Sequence, residues 1–439
     1  MVILGGRYEM AFTMAANLTT RIAFGLYNLL WSGALPFLRL NHRLAEGYGQ
    51  RCLKQMPLPA DIWIQAASVG ESYLALEIIK VLKLDRPVTV LVTSNTSQGV
   101  DILNRTLTDK GETREDIHVT VGYFPFDKPT LMRRAAAAIQ PAAMVLLETE
   151  IWPGLLQALN QHNCPTIIIN GRITDRSLKR YLIWPSIWRQ LRPTRVLAIS
   201  PADADRFKQL FGRDKIETMP NIKFDRVASA VAPANQPDRL KSLLPNGSTF
   251  AILASVRRPE ESLVNNIIIE ILRNCPHAVI GLFPRHLHRV RAWQETLTRA
   301  NIPWSLRSAA NGPAAAGTVI IWDTFGELQQ AYQLCQAAFV GGSLAPLGGQ
   351  NFLEALICGA RPVIGPSWEN FAWVGTEIIA TGLIRVAGNW QEVATLLVQD
   401  LGKSSPRHEI INRSLEYFKD RQGGTQKACR AIAALLEDY

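Results

Sequence analysis

From residue 61 onward, short apolar runs alternate with stretches of helical periodicity, and this rhythm constrains the fold of the 439-residue chain more than any other feature. Runs at 62–67, 88–93, 117–121, 142–147, 166–170 and 195–200 read as strands, and segments such as 72–82, 130–139 and 155–161 read as the helices between them. Alternation at this pace builds a parallel sheet covered on both faces, with ligands at the carboxyl ends of the strands. The rhythm pauses over 228–248, where Pro233, Pro237, Pro245 and Gly247 mark a linker. It resumes at 250–254, 278–283, 319–322, 337–340 and 362–364, then closes with helical material over 390–401 and 406–436. The pattern predicts two doubly wound, Rossmann-like α/β domains, over 46–227 and 249–405, with chemistry in the cleft between them. Helices over 406–439 are expected to pack back on the first domain.

A hydrophobic content of 47% suffices for two cores and excludes disordered or fibrous classes. The net charge of +10 draws anionic partners. No Lys/Arg run or aromatic-basic ribbon marks a nucleic-acid groove, which leaves a phosphorylated ligand or an anionic membrane surface. Six scattered cysteines without a CxxC pair fit a reduced, cytosolic setting without structural zinc. The run at 22–38 is almost wholly apolar, broken by Asn28, Ser32 and Pro36 and followed by Arg39, His42 and Arg43. It lies at the lower edge of spanning length and no cleavage motif follows it. Residues 1–45 therefore read as an anchor that lies on or crosses a membrane, its basic end cytoplasmic; a buried helix is the alternative.

The stretch 339–355 carries two glycine pairs, Gly341-Gly342 and Gly348-Gly349, between a strand and a helix that opens at Asn351 and Glu354. Glycines admit an anion to backbone N–H groups and a helix N-terminus favours it, so the loop predicts a phosphate cradle that includes Gly349, with Glu354 free to hold a ribose hydroxyl. A plain strand-to-helix turn is the alternative. Glu71 follows the first strand, and the small residues Ser68 and Gly70 beside it leave room for a substrate hydroxyl, so it reads either as a base or as a helix-start charge. Glu148 and Glu150 follow another strand; alternation sends them to opposite sides, so one faces the cleft and the other is structural. Arg172 can clamp a phosphorylated or carboxylated acceptor, or form an ordinary ion pair. Lys223, at the linker's edge, suits the charge on a departing phosphate. Two further polar loops, 283–286 and 323–328, follow strands of the second domain. His286 and His288 lack a partner at metal-ligand spacing, so no metal site is expected.

The motifs ASVGE (67–71), PFD (125–127), LETEIWP (147–153), NGR and DRS (170–177), NIKFD (221–225), FPRH (283–286), DTFGEL (323–328) and AFVGGSLAPLGGQNFLEA (338–355) stand in one order over nearly the whole chain after residue 20. Together they resemble the bacterial 3-deoxy-D-manno-octulosonic acid (Kdo) transferases of lipopolysaccharide core assembly. The resemblance implies a GT-B fold, a cytoplasmic location at the inner membrane, CMP-Kdo as donor and a lipid A precursor as acceptor. Transfer would be inverting and need neither cofactor nor metal. By matching position, Glu71 would deprotonate the acceptor, and Glu148 and Lys223 would stabilise the transition state. CMP would be held by Pro284 and Arg285, by Phe325, Gly326 and Glu327, and by Asn351, Phe352, Leu353 and Glu354. The chain departs from the family pattern at Ser255-Val256-Arg257, at Gly349-Gln350-Asn351 and at Asn170-Gly171-Arg172, where the family reads Ser-Thr-His, Gly-His-Asn and Asn-Ala-Arg. Those departures keep open a transferase using another nucleotide sugar, or a non-catalytic relative that binds lipid or nucleotide.

Overall fold

The computed structural model describes residues 3–108, 115–229, 240–245, 247–310 and 312–437. The chain divides into two compact units, one of Met1–Asp225 with Gln422–Tyr439 and one of Arg226–Arg421. The linker expected over 228–248 falls largely on 230–239 and 246, outside the described residues.

In the first unit seven parallel strands form one sheet: β1 (Ile62–Ala66), β2 (Val88–Ser94), β3 (Ile117–Tyr123), β4 (Ala143–Leu147), β5 (Thr166–Gly171), β6 (Arg195–Ala198) and β7 (Ile216–Thr218). Their order is β3-β2-β1-β4-β5-β6-β7, so the direction of winding reverses between β1 and β4, and loops leaving those two strands frame a crevice where ligands of such sheets sit. Alternation along β1 divides the core. Trp63 packs with the helices Pro129–Ile139 and Pro153–Gln161 on one face, and Ile62, Ile64 and Ala66 pack with the helix Val69–Val81 on the other.

The second unit repeats the plan with β8 (Phe250–Val256), β9 (Val279–Pro284), β10 (Trp304–Leu306), β11 (Val319–Ile321), β12 (Ala337–Val340), β13 (Pro362–Ile364) and β14 (Arg385–Val386). Its order, β10-β11-β9-β8-β12-β13-β14, places the reversal between β8 and β12. Three strands escape the periodicity reading, β7, β10 and β14. Each has two or three residues at or near a sheet edge with partly exposed side chains, too short to alternate visibly.

The helical material over 406–436 breaks at Gly423, whose φ of +94° lies in the left-handed region, and its halves part company. Arg407–Lys419 belongs to the second unit, and Gly424–Glu437 lays Ala428, Ile432 and Leu435 into the core of the first. Asp225 holds that last helix by its start, accepting from the N–H groups of Gly423 (2.7 Å) and Thr425 (2.6 Å). Gly424 has to be glycine, because a Cβ there would come within 2.3 Å of the Pro220 carbonyl oxygen.

At the other end of the chain, the helix Ile3–Leu38 carries two apolar stripes. Phe24, Tyr27, Trp31 and Leu35 pack on the first unit, whereas Ile22, Leu26, Leu29, Leu30 and Phe37 are exposed. Among the described residues no helix is long and apolar enough to cross a membrane.

Truncating the buried Ile432 to alanine is expected to cost about 2–5 kcal/mol of first-unit stability in urea unfolding. An unchanged midpoint would show that the last helix is not part of that core.

Candidate active site

Ser68 leaves β1 in extended backbone and caps the helix Val69–Val81, its Oγ accepting from the Glu71 N–H. Glu71 reciprocates: its carboxylate accepts from Ala67 N and Ser68 Oγ, both at 2.8 Å. The two side chains bond reciprocally around the helix start, so the helix-start role of Glu71 is real. It is more than that role requires, because Glu71 is buried and pushed up to about 8 by desolvation and by the negative charges of Glu150 and Glu148. Ser68 and Gly70 are both exposed, and a side chain at Gly70 would meet nothing nearer than 3.8 Å, so the approach to Glu71 is open on that side.

β4 stops at Leu147, and Glu148 takes a left-handed φ of +54°. The turn cancels the alternation that would have separated Glu148 from Glu150, and both carboxylates act on Glu71. The expectation that only one of them serves the site is thus corrected. Glu148 is buried, with Lys223 Nζ 2.6 Å from one oxygen and Arg172 Nε 3.1 Å from the other. Arg172 is therefore committed in part to Glu148 and is not a free clamp. Glu150 accepts from Trp152 Nε1 at 2.6 Å and from the buried Gln65, and burial pushes it up to about 7. Gln65 escapes the sequence reading, although its place in a strand buried on both sides is a signal: an amide there needs polar partners.

Lys223 is placed by two asparagines. Asn170, left-handed at the end of β5, accepts from Ile222 N, and Asn221 accepts from Lys223 N, each at 3.0 Å. They pin the start of the helix Ile222–Ser229 and aim its lysine at Glu148.

In the second unit the glycine loop after β12 is filled from within. The buried Glu260, from the loop after β8, accepts from the N–H groups of Gly342, Ser343 (3.2 Å) and Leu344 (3.3 Å). Gly349 N bonds Gly342 O at 2.7 Å, and Gly348 N bonds Ser367 Oγ at 2.8 Å. The phosphate cradle expected at these amides is corrected: a carboxylate of the chain itself holds the place of the anion. Downstream, Asn351 accepts from Leu353 N and donates to Glu354 at 2.7 Å, while Phe352 and Leu353 are buried, Phe352 against Trp368 and Phe371. Glu354 is thus engaged with Asn351.

Pro284 is buried at the end of β9, and the exposed Arg285 projects beside the stacked rings of His286 and His288. His286 is held below its usual range by partial burial and by the charges of Arg285, His288 and Arg257. Phe325 is 79% exposed, and Gly326 beside it has open space around it. Glu327 is spent on a two-pronged pair with Arg307 (2.9 and 2.8 Å) and on Trp322 Nε1 (2.8 Å), which makes its side chain a brace.

The raised carboxyls make stability depend on pH. The folded chain keeps protons on Glu71 and Glu150 that an unfolded chain releases near the ordinary glutamate pKa of about 4.3, so their contribution is complete below that value and is lost as pH rises to about 8. Glu71→Gln is expected to flatten this slope, making the protein more stable than its parent at pH 8 by roughly 2–4 kcal/mol and equal to it near pH 4 in urea unfolding. An unaltered slope would mean that Glu71 ionises freely.

Comparison with known proteins follows the same lines. Residues 39–226 match the family model described as 3-Deoxy-D-manno-octulosonic-acid transferase (kdotransferase). The 3-deoxy-D-manno-octulosonic acid transferase of Haemophilus influenzae is 27% identical over 406 residues, covering 91% of this chain and 92% of that one. Its counterpart from Bordetella pertussis is 29% identical over 403 residues, covering 87% and 88%. Among solved structures, HepE of Anabaena in complex with UDP is similar with a TM-score of 0.52 at 16% identity, over 86% of this chain and all of that one, a likeness of fold of the GT-B kind. Residues 39–226 are thus a Kdo transferase domain, most of the chain is similar to Kdo transferases, and the chain is a glycosyltransferase.

Proposed function

We propose that the chain transfers Kdo from CMP-Kdo, with inversion, to a hydroxyl of a lipid A precursor at the cytoplasmic face of the inner membrane. The observation that carries this reading is Glu71, a buried carboxyl raised to about 8 at a sheet's switch point, beside the Glu148–Lys223 pair. A base poised near working pH is half ionised yet still basic enough to take a proton. In the proposed step the acceptor's O–H proton passes to Glu71, the oxygen bonds to the anomeric carbon, and the bond from that carbon to the phosphate breaks with its electrons leaving on CMP. Lys223, oriented by Glu148, stabilises charge in that transition state, so the leaving phosphate needs no second acid. The exposed Arg285 and the segment Asn351 to Glu354 support nucleotide binding by the second unit.

The departures at Arg257 and Gln350 favour a second reading, the same chemistry with another nucleotide sugar. Thermal protection by CMP without protection by UMP supports the first reading, and the reverse supports the second.

The outward stripe of the N-terminal helix, with Arg39, Arg43, Arg133 and Arg134 exposed nearby in the chain or on the helix it contacts, supports a helix lying in the interface of an anionic membrane.

Glu71→Ala is expected to lower transfer at least a thousandfold while CMP affinity stays within about threefold. Loss of nucleotide binding would misplace the residue. In the parent enzyme kcat/KM should rise with pH to a plateau above about 8, and Glu150→Gln should move that rise to lower pH by removing a negative charge that opposes ionisation of Glu71. A rise that stays in place would uncouple the two carboxyls. Replacing Leu26, Leu29 and Leu30 together by glutamate should leave a folded protein whose partition onto anionic vesicles falls at least a hundredfold in sedimentation. Undiminished sedimentation would refute the interfacial helix.

A further inference from the structure

A cavity of about 200 Å³ opens in the first unit beside the sheet edge formed by β1, β2 and β3. Leu53, Leu91, Pro125 and Ile139 form its apolar walls, with the ring of Trp63 among them and Thr120, the register partner of Leu91, on the same face of the sheet. Deep in it, Thr93, Gln50 and the Trp63 ring nitrogen are turned to other partners. Trp63 Nε1 donates to Thr93 Oγ1 at 2.8 Å, Thr93 Oγ1 donates to Gln65 Oε1 at 2.6 Å, and Gln50 Oε1 accepts from Tyr123 N at 2.8 Å. A ligand entering there gains dispersion and loses water, and these groups offer it few hydrogen bonds, so the chemistry selected is hydrocarbon.

The mouth shows where that hydrocarbon comes from. Met56 and Leu58 stand at it, 48% and 66% exposed. The exposed Arg134, on the helix Pro129–Ile139, reaches the Met56 sulfur at 4.0 Å. One turn earlier on that helix, Thr130 bonds Asn28 of the N-terminal helix, whose neighbours Leu26, Leu29 and Leu30 form the outward apolar stripe. The helix Pro129–Ile139 thus borders the mouth through Arg134 and contacts the N-terminal helix proposed to meet the membrane, and Arg134 supplies a cation where a phosphorylated lipid would be anionic.

The inner end of the cavity points to the same conclusion. Trp63 and Gln65 project from the same face of β1 about 7 Å apart, and Gln65 bonds Glu150 of the carboxylate cluster. We infer that this cavity seats one alkyl chain of the lipid acceptor, so that the chain fixes where the acceptor's sugar meets Glu71. The inference rests on the proposal that the acceptor is a lipid.

Two variants of the full chain test it. Leu58→Glu charges the mouth at an exposed position, and Thr120→Trp fills the interior from the face shared with Trp63 and Leu91; near-parental melting identifies the variants that remain folded. Each is expected to raise KM for an acylated lipid A precursor at least tenfold, with KM for CMP-Kdo and kcat within about twofold of the parent. In parallel, a twelve-carbon fatty acid bearing a terminal diazirine should photolabel peptides containing Leu53, Met56 or Leu58, and each folded variant should lose that label. An acceptor KM within twofold in the folded variants, or labelling confined to the N-terminal helix, would overturn the cavity assignment. The reading beneath it fails differently: if the parent labels at the cavity yet transfers nothing to the acylated acceptor, the lipid-acceptor function is wrong while the hydrocarbon site stands.

Discussion

Glu148 is a carboxylate taken out of water, and the rest of the site depends on how its charge is met. Lys223 and Arg172 approach its two oxygens from different segments of the chain. Desolvating such a group costs several kcal/mol, and removing one partner from a buried pair is far more damaging than never having had the pair. The pairing therefore acts as a clamp on geometry: the end of β4, the loop after β5 and the helix Ile222–Ser229 hold the charge only in one mutual arrangement. Asp225, two residues beyond Lys223, extends that arrangement to the last helix of the chain by capping its start. The far C-terminus thus helps to fix a lysine about two hundred residues before it, beside a main-chain contact so close that only glycine fits at Gly424.

Around this clamp the site is assembled against the grain of stability. Three glutamates converge at a switch point, and the like charges of Glu148 and Glu150 join desolvation in keeping a proton on Glu71. Two non-glycine residues, Glu148 and Asn170, adopt left-handed backbone at the ends of adjacent strands. Conformations and charges of this kind persist only where surrounding structure over-determines them, and they gather where a task requires them. A helix-start glutamate on a surface helix needs none of this; its carboxylate would ionise at an ordinary pH. The burial and the neighbouring charges set Glu71 apart from a plain helix cap, and these are visible only in three dimensions.

That distinction sets how much was legible beforehand. The long buried strands were, because a run buried on both faces is apolar at every position; Glu71 and Glu148 stand out because they follow such runs, and Lys223 because it stands at the linker's edge. That Glu150 joins Glu148 was not legible, since the alternation rule that set one of the two aside holds only while a strand continues, and the left-handed turn at Glu148 ends it. The glycine loop failed for another reason. Its amides do bind an anion, as the local sequence implies, but the anion is Glu260, more than eighty residues earlier in the chain. Local chemistry identifies a need for negative charge and cannot say whether a ligand or the protein supplies it. The N-terminal run shows the same ambiguity: one stripe serves the core and the other is exposed, and a hydropathy reading adds them together.

The two stripes also explain why the N-terminal helix cannot be treated as a detachable tether. Tyr27 on its inner face donates to Asp127 at 3.0 Å, and Asp127 in turn accepts from Gly154 N (2.9 Å) and Leu155 N (2.7 Å), capping the helix that follows the Glu148 to Trp152 loop. Burial drives Asp127 up to about 7, so its ionised form relies on those three donors. A side chain at Gly154 would intrude within 2.8 Å of the carboxylate oxygen, which reserves that position for glycine. A surface element and the loop that carries Glu148 and Glu150 therefore share one buried acid. Any displacement of the helix would be transmitted to the segment that carries Glu148 and Glu150, because losing the tyrosine's hydrogen bond would leave Asp127 under-satisfied in a place where water cannot replace it.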